Sequence, residues 1–286
     1  MSNMETKTFK NQVVIVTGAS SGIGKALSFQ LAHEGACLSL AARNAERLEQ
    51  LAEECHLLSG SAISVPTDVA EEGQCRELVE KTVNQFGRID MLINNAGFSL
   101  SGKFDELPNL DLFKRVMDVN FCGMVNCTYY ALPFLKQTCG RVVNVSSLGG
   151  KFAIPYNTSY IASKFAMTGF SDSLRMELKR DNVSVTVVFP YWVATEFHER
   201  LLDKAGQPRG EGGRAIYTSK TMTADECAAI ILNAALKRKR EVVMWPGSIG
   251  VWFKLIAPDL VDRFIVENIF RPVAERSSKK EALDGR

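Results

Sequence analysis

Short apolar runs with no polar alternation recur along the chain, each followed by a longer segment whose apolar residues keep helical spacing. The run at 13–16, VVIV, is β-branched throughout, which suits a strand buried on both faces of a parallel sheet. The segment that follows, to about residue 34, keeps Ile23, Leu27 and Leu31 on one stripe and reads as a helix. The pattern then repeats. Strands are predicted at 37–41, 63–65, 89–93, 142–145, 183–189 and 242–244, and helices at 45–58, 71–86, 107–135, from just after Pro155 to about 179, and 224–237. Strands alternating with helices predict an α/β architecture with a doubly wound parallel sheet. From 198 to 222 the chain is polar and glycine-rich with no steady period, and it is predicted to be a mobile flap.

Composition narrows the class. A chain of 286 residues with 46% hydrophobic content buries a full core and fits one large domain better than two small ones. A net charge of +2 calls for no acidic partner. The seven cysteines, Cys37, Cys55, Cys75, Cys122, Cys127, Cys139 and Cys227, are scattered and never spaced CxxC, so they read as reduced residues of a cytosolic protein. His33, His56 and His198 lie far apart, and no metal site is expected. The polar N-terminus lacks a signal peptide's apolar run. The largely apolar uncharged stretch 242–253 contains a proline and two glycines and falls short of the roughly 20 residues a membrane span needs.

The chemistry starts at the first strand's end. TGASSGIG, 17–24, stands between strand and helix, the order a nucleotide-binding βαβ unit requires. Gly18 lets the backbone turn, Gly22 admits a pyrophosphate, Gly24 allows close helix–strand packing, and the first helical amides meet the negative charge. After the second strand an acidic residue would hold a ribose 2′-hydroxyl; here Ala42 is followed by Arg43. That guanidinium either pairs with a 2′-phosphate, giving a preference for NADP(H), or simply opens the solvated helix 45–58. Asp68 and Val69 lie past the third strand, where adenine sits in such sheets, and Asp68 reads equally as an N-cap for helix 71–86. Past the fourth strand, Asn94-Asn95-Ala96-Gly97 permits close approach of a ligand, with Asn94 alternatively capping the loop. Asn120, between Val119 and Phe121, is either a surface residue or a polar anchor.

The stretch 141–166, RVVNVSSLGGKFAIPYNTSYIASKFA, reads as strand, glycine turn and helix. Tyr160 and Lys164 are four apart and share one helical face. A neighbouring ammonium favours phenolate, so Lys164 is expected to hold Tyr160 below its usual value of about 10. Such a tyrosine hands a proton to a carbonyl oxygen that Ser147 also binds; the plain alternative is a surface helix with Tyr and Lys as chance neighbours. Pro190, Val193 and Thr195 stand at the rim, Thr195 within reach of a carboxamide and Val193 offering backbone groups.

Taken together, TGASSGIG, NNAG, Ser147 with YIASK, and the PxxVxT rim make residues 11–245 resemble the short-chain dehydrogenase/reductase family. The resemblance implies a Rossmann-type seven-stranded parallel sheet in a catalytic domain of 1–245, with an apolar extension over 246–286. It implies Tyr160 as proton donor and acceptor, Lys164 tuning it and holding the nicotinamide ribose, Ser147 steadying the substrate oxygen, and Asn120 anchoring a water that links Lys164 to solvent. It implies that Gly18, Ser20, Ser21, Ile23, Arg43, Asp68, Val69, Asn94, Ala96, Gly97, Val193 and Thr195 line the cofactor. Homodimers or homotetramers that pair through the helices carrying Asn120 and Tyr160 are implied as well. Two departures stand out: Tyr191 replaces the usual rim glycine, and the tail beyond Met244 is long.

That tail holds Trp245, Trp252, Phe253, Leu255, Ile256, Phe264 and Phe270. It reads as a lid or membrane-surface contact assisted by the basic run Lys237-Arg238-Lys239-Arg240, or as a helix packed on the domain or across a subunit interface. The basic run is a solvated helix end, and no nucleic-acid partner is expected. The expected activity is an NADP(H)-dependent carbonyl reduction or its reverse, with a steroid, retinoid or long-chain lipid ketone as substrate. The alternatives are a 3-oxoacyl thioester reductase and a cofactor-binding regulator without turnover.

Overall fold

A computed structural model describes residues 9–58, 60–210 and 221–270. β1 (Val13–Thr17), β2 (Cys37–Ala42), β3 (Ser61–Pro66), β4 (Met91–Asn94), β5 (Arg141–Val145) and β6 (Ser184–Phe189) lie in one sheet with β9 (Glu241–Val243). Its order is β3-β2-β1-β4-β5-β6-β9, and every pairing is parallel. β7 (Val193–Ala194) and β8 (Met222–Thr223) form a separate two-stranded ribbon.

The all-apolar look of VVIV has a direct cause. Val14 and Val16 join one apolar cluster while Ile15 joins the other, because successive side chains of a strand point to opposite faces. α1 (Gly22–His33), α2 (Ala45–His56) and α7 (Ala224–Leu236) cover the first face through Leu27, Leu31, Leu48 and Ile231. α3 (Glu72–Phe86), α5 (Gly123–Gln137) and α6 (Thr158–Glu177) cover the second through Leu78, Leu135 and Leu174. The strand order reverses between β1 and β4, and the crevice at their carboxyl ends is where sheets of this kind take ligands.

Two expectations about helices change. The predicted helix over 107–135 divides into α4 (Asp111–Met117), a π-helical turn at Asp118–Cys122, and α5. The π turn contains Asn120, and such single-turn insertions are frequent at functional sites. Gly123 follows because a Cβ there would lie 2.6 Å from Val69 Cγ2, so only glycine lets α5 pass under the β3–α3 loop. Asp68, read also as a cap for α3, does not cap it; Glu71 holds the N-cap position. Asp68 Oδ1 instead accepts the Ala70 amide at 3.1 Å, and its other oxygen pairs with Arg115 of α4.

The flap region also gains definition. Over 198–210 it is a bonded strap: Ser101 N donates to Leu202 O at 2.8 Å, Leu202 N to Ser99 O at 3.1 Å, and Lys204 pairs with Glu106. The remainder, 211–220, lies outside the described residues.

The tail forms α8 (Gly247–Ile256) and α9 (Pro258–Phe264), continued by a π-helical stretch at Ile265–Phe270. The expectation of a helix packed on the domain holds only locally, where Val251 meets Phe189 and Leu148 and Ile265 is buried. Trp252 is 68% exposed, Leu255 73% and Ile256 81%. The basic run cannot assist this surface. Arg238 donates to the carbonyls of Asn182 and Cys139, which precede β6 and β5, so the run sits at the sheet's amino end while the tail leaves β9 at the carboxyl end. Among the described residues no helix is long and apolar enough to cross a membrane.

Candidate active site

The sheet's carboxyl edge gathers the residues singled out above. In the glycine turn Gly18 has φ +65°, and a Cβ there would lie 2.9 Å from Ala96 Cα, while one on Gly24 would lie 2.2 Å from Gly18 O. Both positions therefore admit glycine alone. Ser21 precedes α1 without a side-chain cap bond, and no acidic residue stands in the first turn. The opening amides of α1 are thus left for an anion, and Ser20, Gly22 and Ile23 are partly accessible beside them. The cradle fits the pyrophosphate of a dinucleotide.

Asn95, missed by the sequence reading, ties two loops together. Its Nδ2 donates to Thr17 O at 3.0 Å and Gly18 O at 3.2 Å, and the amides of Asn95 and Ala96 donate to Thr17 Oγ1 at 3.0 and 3.1 Å. Its place beside Gly18 depends on the β1–β4 register, which local spacing does not carry. Asn94 is corrected: its side chain neither caps the loop nor faces the crevice. The amide donates to Thr128 Oγ1 at 3.0 Å and Asn144 Oδ1 at 2.9 Å in the core, so only its main chain is available to a ligand. Arg43 stands exposed past β2, and Asp68 and Val69 stand past β3, with Val69 buried. At the rim, Pro190 O accepts the Leu148 amide at 3.2 Å, Val193 is buried in β7, and Thr195 Oγ1 accepts the Phe197 amide at 3.3 Å. Tyr191 fits the rim by packing against Phe189 and Leu148.

On the catalytic side, α6 carries Tyr160 and Lys164 beside the loop after β5. Ser147 Oγ accepts the Gly149 amide at 3.1 Å and lies near enough to the Tyr160 phenol to lower its pKa. Lys164 is 4% exposed; its Nζ donates to Val145 O at 3.0 Å and lies 5.5 Å from the Tyr160 ring centre. Asn120 is fully buried and therefore an anchor, not a surface residue. Its Oδ1 accepts the Phe98 amide at 2.9 Å, and its Nδ2 donates to Phe98 O at 2.9 Å and Ser163 Oγ at 3.0 Å. Ser163 Oγ in turn donates to Tyr160 O at 2.7 Å. A Cβ on Gly97 would sit 3.0 Å from Asn120 Oδ1 and 3.8 Å from Lys164 Nζ, so that glycine keeps the corner between them open.

The expected tuning of Tyr160 by Lys164 is not found. Burial pushes the phenol up to about 12, and Ser147 pulls only partly the other way. Burial also brings Lys164 down to about 8. Desolvation penalises either charge here, and the ammonium is directed at Val145 O. The residue is therefore a protonated tyrosine at neutral pH, suited to giving a proton to a carbonyl oxygen.

Beside Tyr160 the wall is aromatic. The Phe197 ring centre lies 6.0 Å from that of Tyr160 and 5.5 Å from that of His198, and His198 lies 5.1 Å from Trp192. Burial lowers His198 to about 4, so this wall is uncharged at neutral pH. Nothing in the polar, aperiodic stretch after Thr195 signalled it. Among the described residues no three potential metal ligands stand together.

The comparisons agree with this geometry. A family model described as short chain dehydrogenase matches residues 12–206. The chain is 34% identical over 273 residues to 11-beta-hydroxysteroid dehydrogenase 1A of Arabidopsis thaliana, covering 91% of this chain and 76% of that protein. It is 33% identical over 264 residues to dehydrogenase/reductase SDR family protein 7-like of Dictyostelium discoideum, covering 89% and 81%. A short-chain type dehydrogenase/reductase from Mycobacterium marinum superposes with a TM-score of 0.75 at 23% identity over 85% of this chain and 97% of that one, which speaks to the fold.

Proposed function

The chain belongs to the short-chain dehydrogenase family of nicotinamide-dependent oxidoreductases, and from that premise we propose that it is an NADP(H)-dependent reductase of apolar ketones, or the reverse dehydrogenase of the matching secondary alcohols. The observation that carries this reading is the position of Tyr160, with Ser147 and Lys164 close by and the uncharged wall of Phe197, His198 and Trp192 beside its ring. Such a wall favours a flat or greasy skeleton over a charged one. The Arabidopsis relative is by name a hydroxysteroid dehydrogenase, in keeping with a steroid, retinoid or long-chain lipid ketone. Bound in the crevice, the nicotinamide would supply the hydride. Tyr160 Oη gives its proton to the carbonyl oxygen as charge develops there, and Ser147 Oγ hydrogen-bonds the same oxygen. Lys164 holds positive charge beneath them, and Asn120 fixes the loop that starts at Phe98.

We assign NADP(H) preference to Arg43. It is exposed past Ala42 and, among the described residues, has no ion-pair partner, and no carboxylate takes its place. A guanidinium binds a phosphate bidentately. NADPH oxidation against a steroid ketone, retinal, a long-chain lipid ketone and an acetoacetyl thioester is expected to favour the apolar ketones. Arg43→Ala is expected to lower the NADPH-over-NADH ratio in kcat/KM by about 10–100-fold. An unchanged ratio would remove the NADP(H) assignment, activity on the thioester alone would favour the acyl reductase, and no turnover on any substrate would favour a regulator.

Two surfaces are assigned to contacts outside the chain. Tyr129 on α5, with Phe165 and Met176 on α6, exposes apolar area on the helices expected to pair two copies. The tail's Trp252, Phe253, Leu255 and Ile256 are assigned to peripheral contact with a lipid surface. Lys254 pairs with Asp262, and among the described residues no basic patch flanks these side chains, so that contact is expected on neutral phosphatidylcholine vesicles and to resist salt. Trp252→Glu combined with Phe253→Glu is expected to abolish flotation while leaving the sedimentation coefficient unchanged. A dimer that falls to monomer in this variant would instead make the tail a subunit interface. A reducing, cytoplasmic setting suits the seven free thiols.

A further inference from the structure

The strap after Thr195 brings positive charge back over the glycine turn. Glu196 Oε2 accepts Arg47 Nη1 at 3.1 Å and pairs with Arg200, whose Nη1 donates to Ser21 Oγ at 3.0 Å. Three remote parts of the sequence meet there: the turn before α1, the first turn of α2, and the strap. All three charged side chains are about half exposed, so none is held by burial. Arg47 lies four positions beyond Arg43, on the helix that follows the ribose end of β2, and Ser21 belongs to the turn that receives the phosphates. A carboxylate that gathers two guanidiniums occupies a place that a phosphate, with more charge, could take.

We propose that Arg47 and Arg200, brought together by Glu196 over Ser21, form a second guanidinium pair for the 2′-phosphate of the cofactor, with Glu196 as an internal competitor for that phosphate. The inference rests on the NADP(H) reading above and adds residues to it. Its consequence is that the two charge signs act oppositely. Removing Arg200 weakens phosphate binding, and neutralising Glu196 strengthens it.

The test is equilibrium binding to the full-length protein, read by nucleotide fluorescence for NADPH and NADH and by calorimetry for 2′,5′-ADP and 5′-AMP. Arg200→Ala is expected to raise the Kd of NADPH and 2′,5′-ADP about 10-fold, with NADH and 5′-AMP within about twofold. Arg200→Lys is expected to fall between, because it keeps the charge and loses the fork. Glu196→Gln is expected to lower the Kd of the two 2′-phosphorylated ligands about threefold at low salt, with the gain fading as salt rises. A merely structural strap would lose affinity in both variants and for all four ligands. Equal losses for NADPH and NADH in Arg200→Ala, or weaker NADPH binding in Glu196→Gln, would overturn the proposal. If Arg43→Ala removes the NADPH preference and Arg200→Ala does not, the second pair fails and the cofactor reading stands. If the unmodified protein shows no preference, both fall.

Discussion

Tyr160→Phe is expected to cut turnover about 1000-fold or more while leaving the NADPH Kd within about twofold. The substitution keeps the ring, and with it the 6.0 Å packing on Phe197 and the lysine placed 5.5 Å from the ring centre. It removes one oxygen, the group beside Ser147 that has a proton to give. Because burial pushes that phenol up to about 12, the hydroxyl is protonated throughout the neutral range, the form that carbonyl reduction needs. Alcohol oxidation needs the phenolate, so its rate is expected to climb with pH well past neutrality in the unmodified enzyme and to lose that climb in Tyr160→Phe. Single-turnover hydride transfer followed by NADPH absorbance, beside a fluorescence titration of cofactor binding, separates chemistry from affinity. Turnover within tenfold of the unmodified enzyme would remove Tyr160 from the proton-transfer step.

Much of this arrangement was legible in the sequence because it is local. VVIV, TGASSGIG and the helical stripe after them specify a strand, a turn and a helix from neighbouring residues alone, and Tyr160 and Lys164 share a face through helical spacing. What escaped was set by tertiary register. Asn94 and Asn95 are adjacent in sequence, yet strand alternation sends the first to Thr128 and Asn144 in the core and the second to the glycine turn. Asp68 looked like a cap because a helix begins nearby, but Arg115, 47 positions away, takes its carboxylate. The π turn at Asp118–Cys122 left no mark in the apolar spacing of 107–135. The phenol's shift went opposite to expectation because helical adjacency gives a separation, whereas burial depends on everything packed around both groups. The tail's exposure was likewise unreadable, since apolar residues at helical spacing look the same whether the protein covers them or not.

Asn120→Ala carries the second large effect, because one buried amide closes three hydrogen bonds that no other side chain replaces. Its Oδ1 and Nδ2 clamp the amide and carbonyl of Phe98, and Nδ2 also reaches Ser163 Oγ, which donates to the carbonyl of Tyr160. The loop that begins at β4 and the first turn of α6 are thus fastened to the same side chain. Placing Asn120 there uses the π turn, whose extra residue breaks the regular i to i+4 pattern and turns the amide inward. Truncation leaves the Phe98 main chain and Ser163 short of partners, at about 2–3 kcal/mol, which for a chain of this size is a Tm lower by roughly 4–10 °C. Since the clamp sets where Gly97 and Tyr160 stand relative to each other, kcat is expected to fall about 100-fold, with KM for the ketone changing less. Ser163→Ala provides the graded control: it removes the link to Tyr160 and spares the Phe98 clamp, so it is expected to lose activity with a smaller Tm shift. Differential scanning calorimetry and steady-state kinetics on both variants decide the matter. An Asn120→Ala protein with unaltered Tm and kcat would mean that the loop and the catalytic helix hold their positions without it.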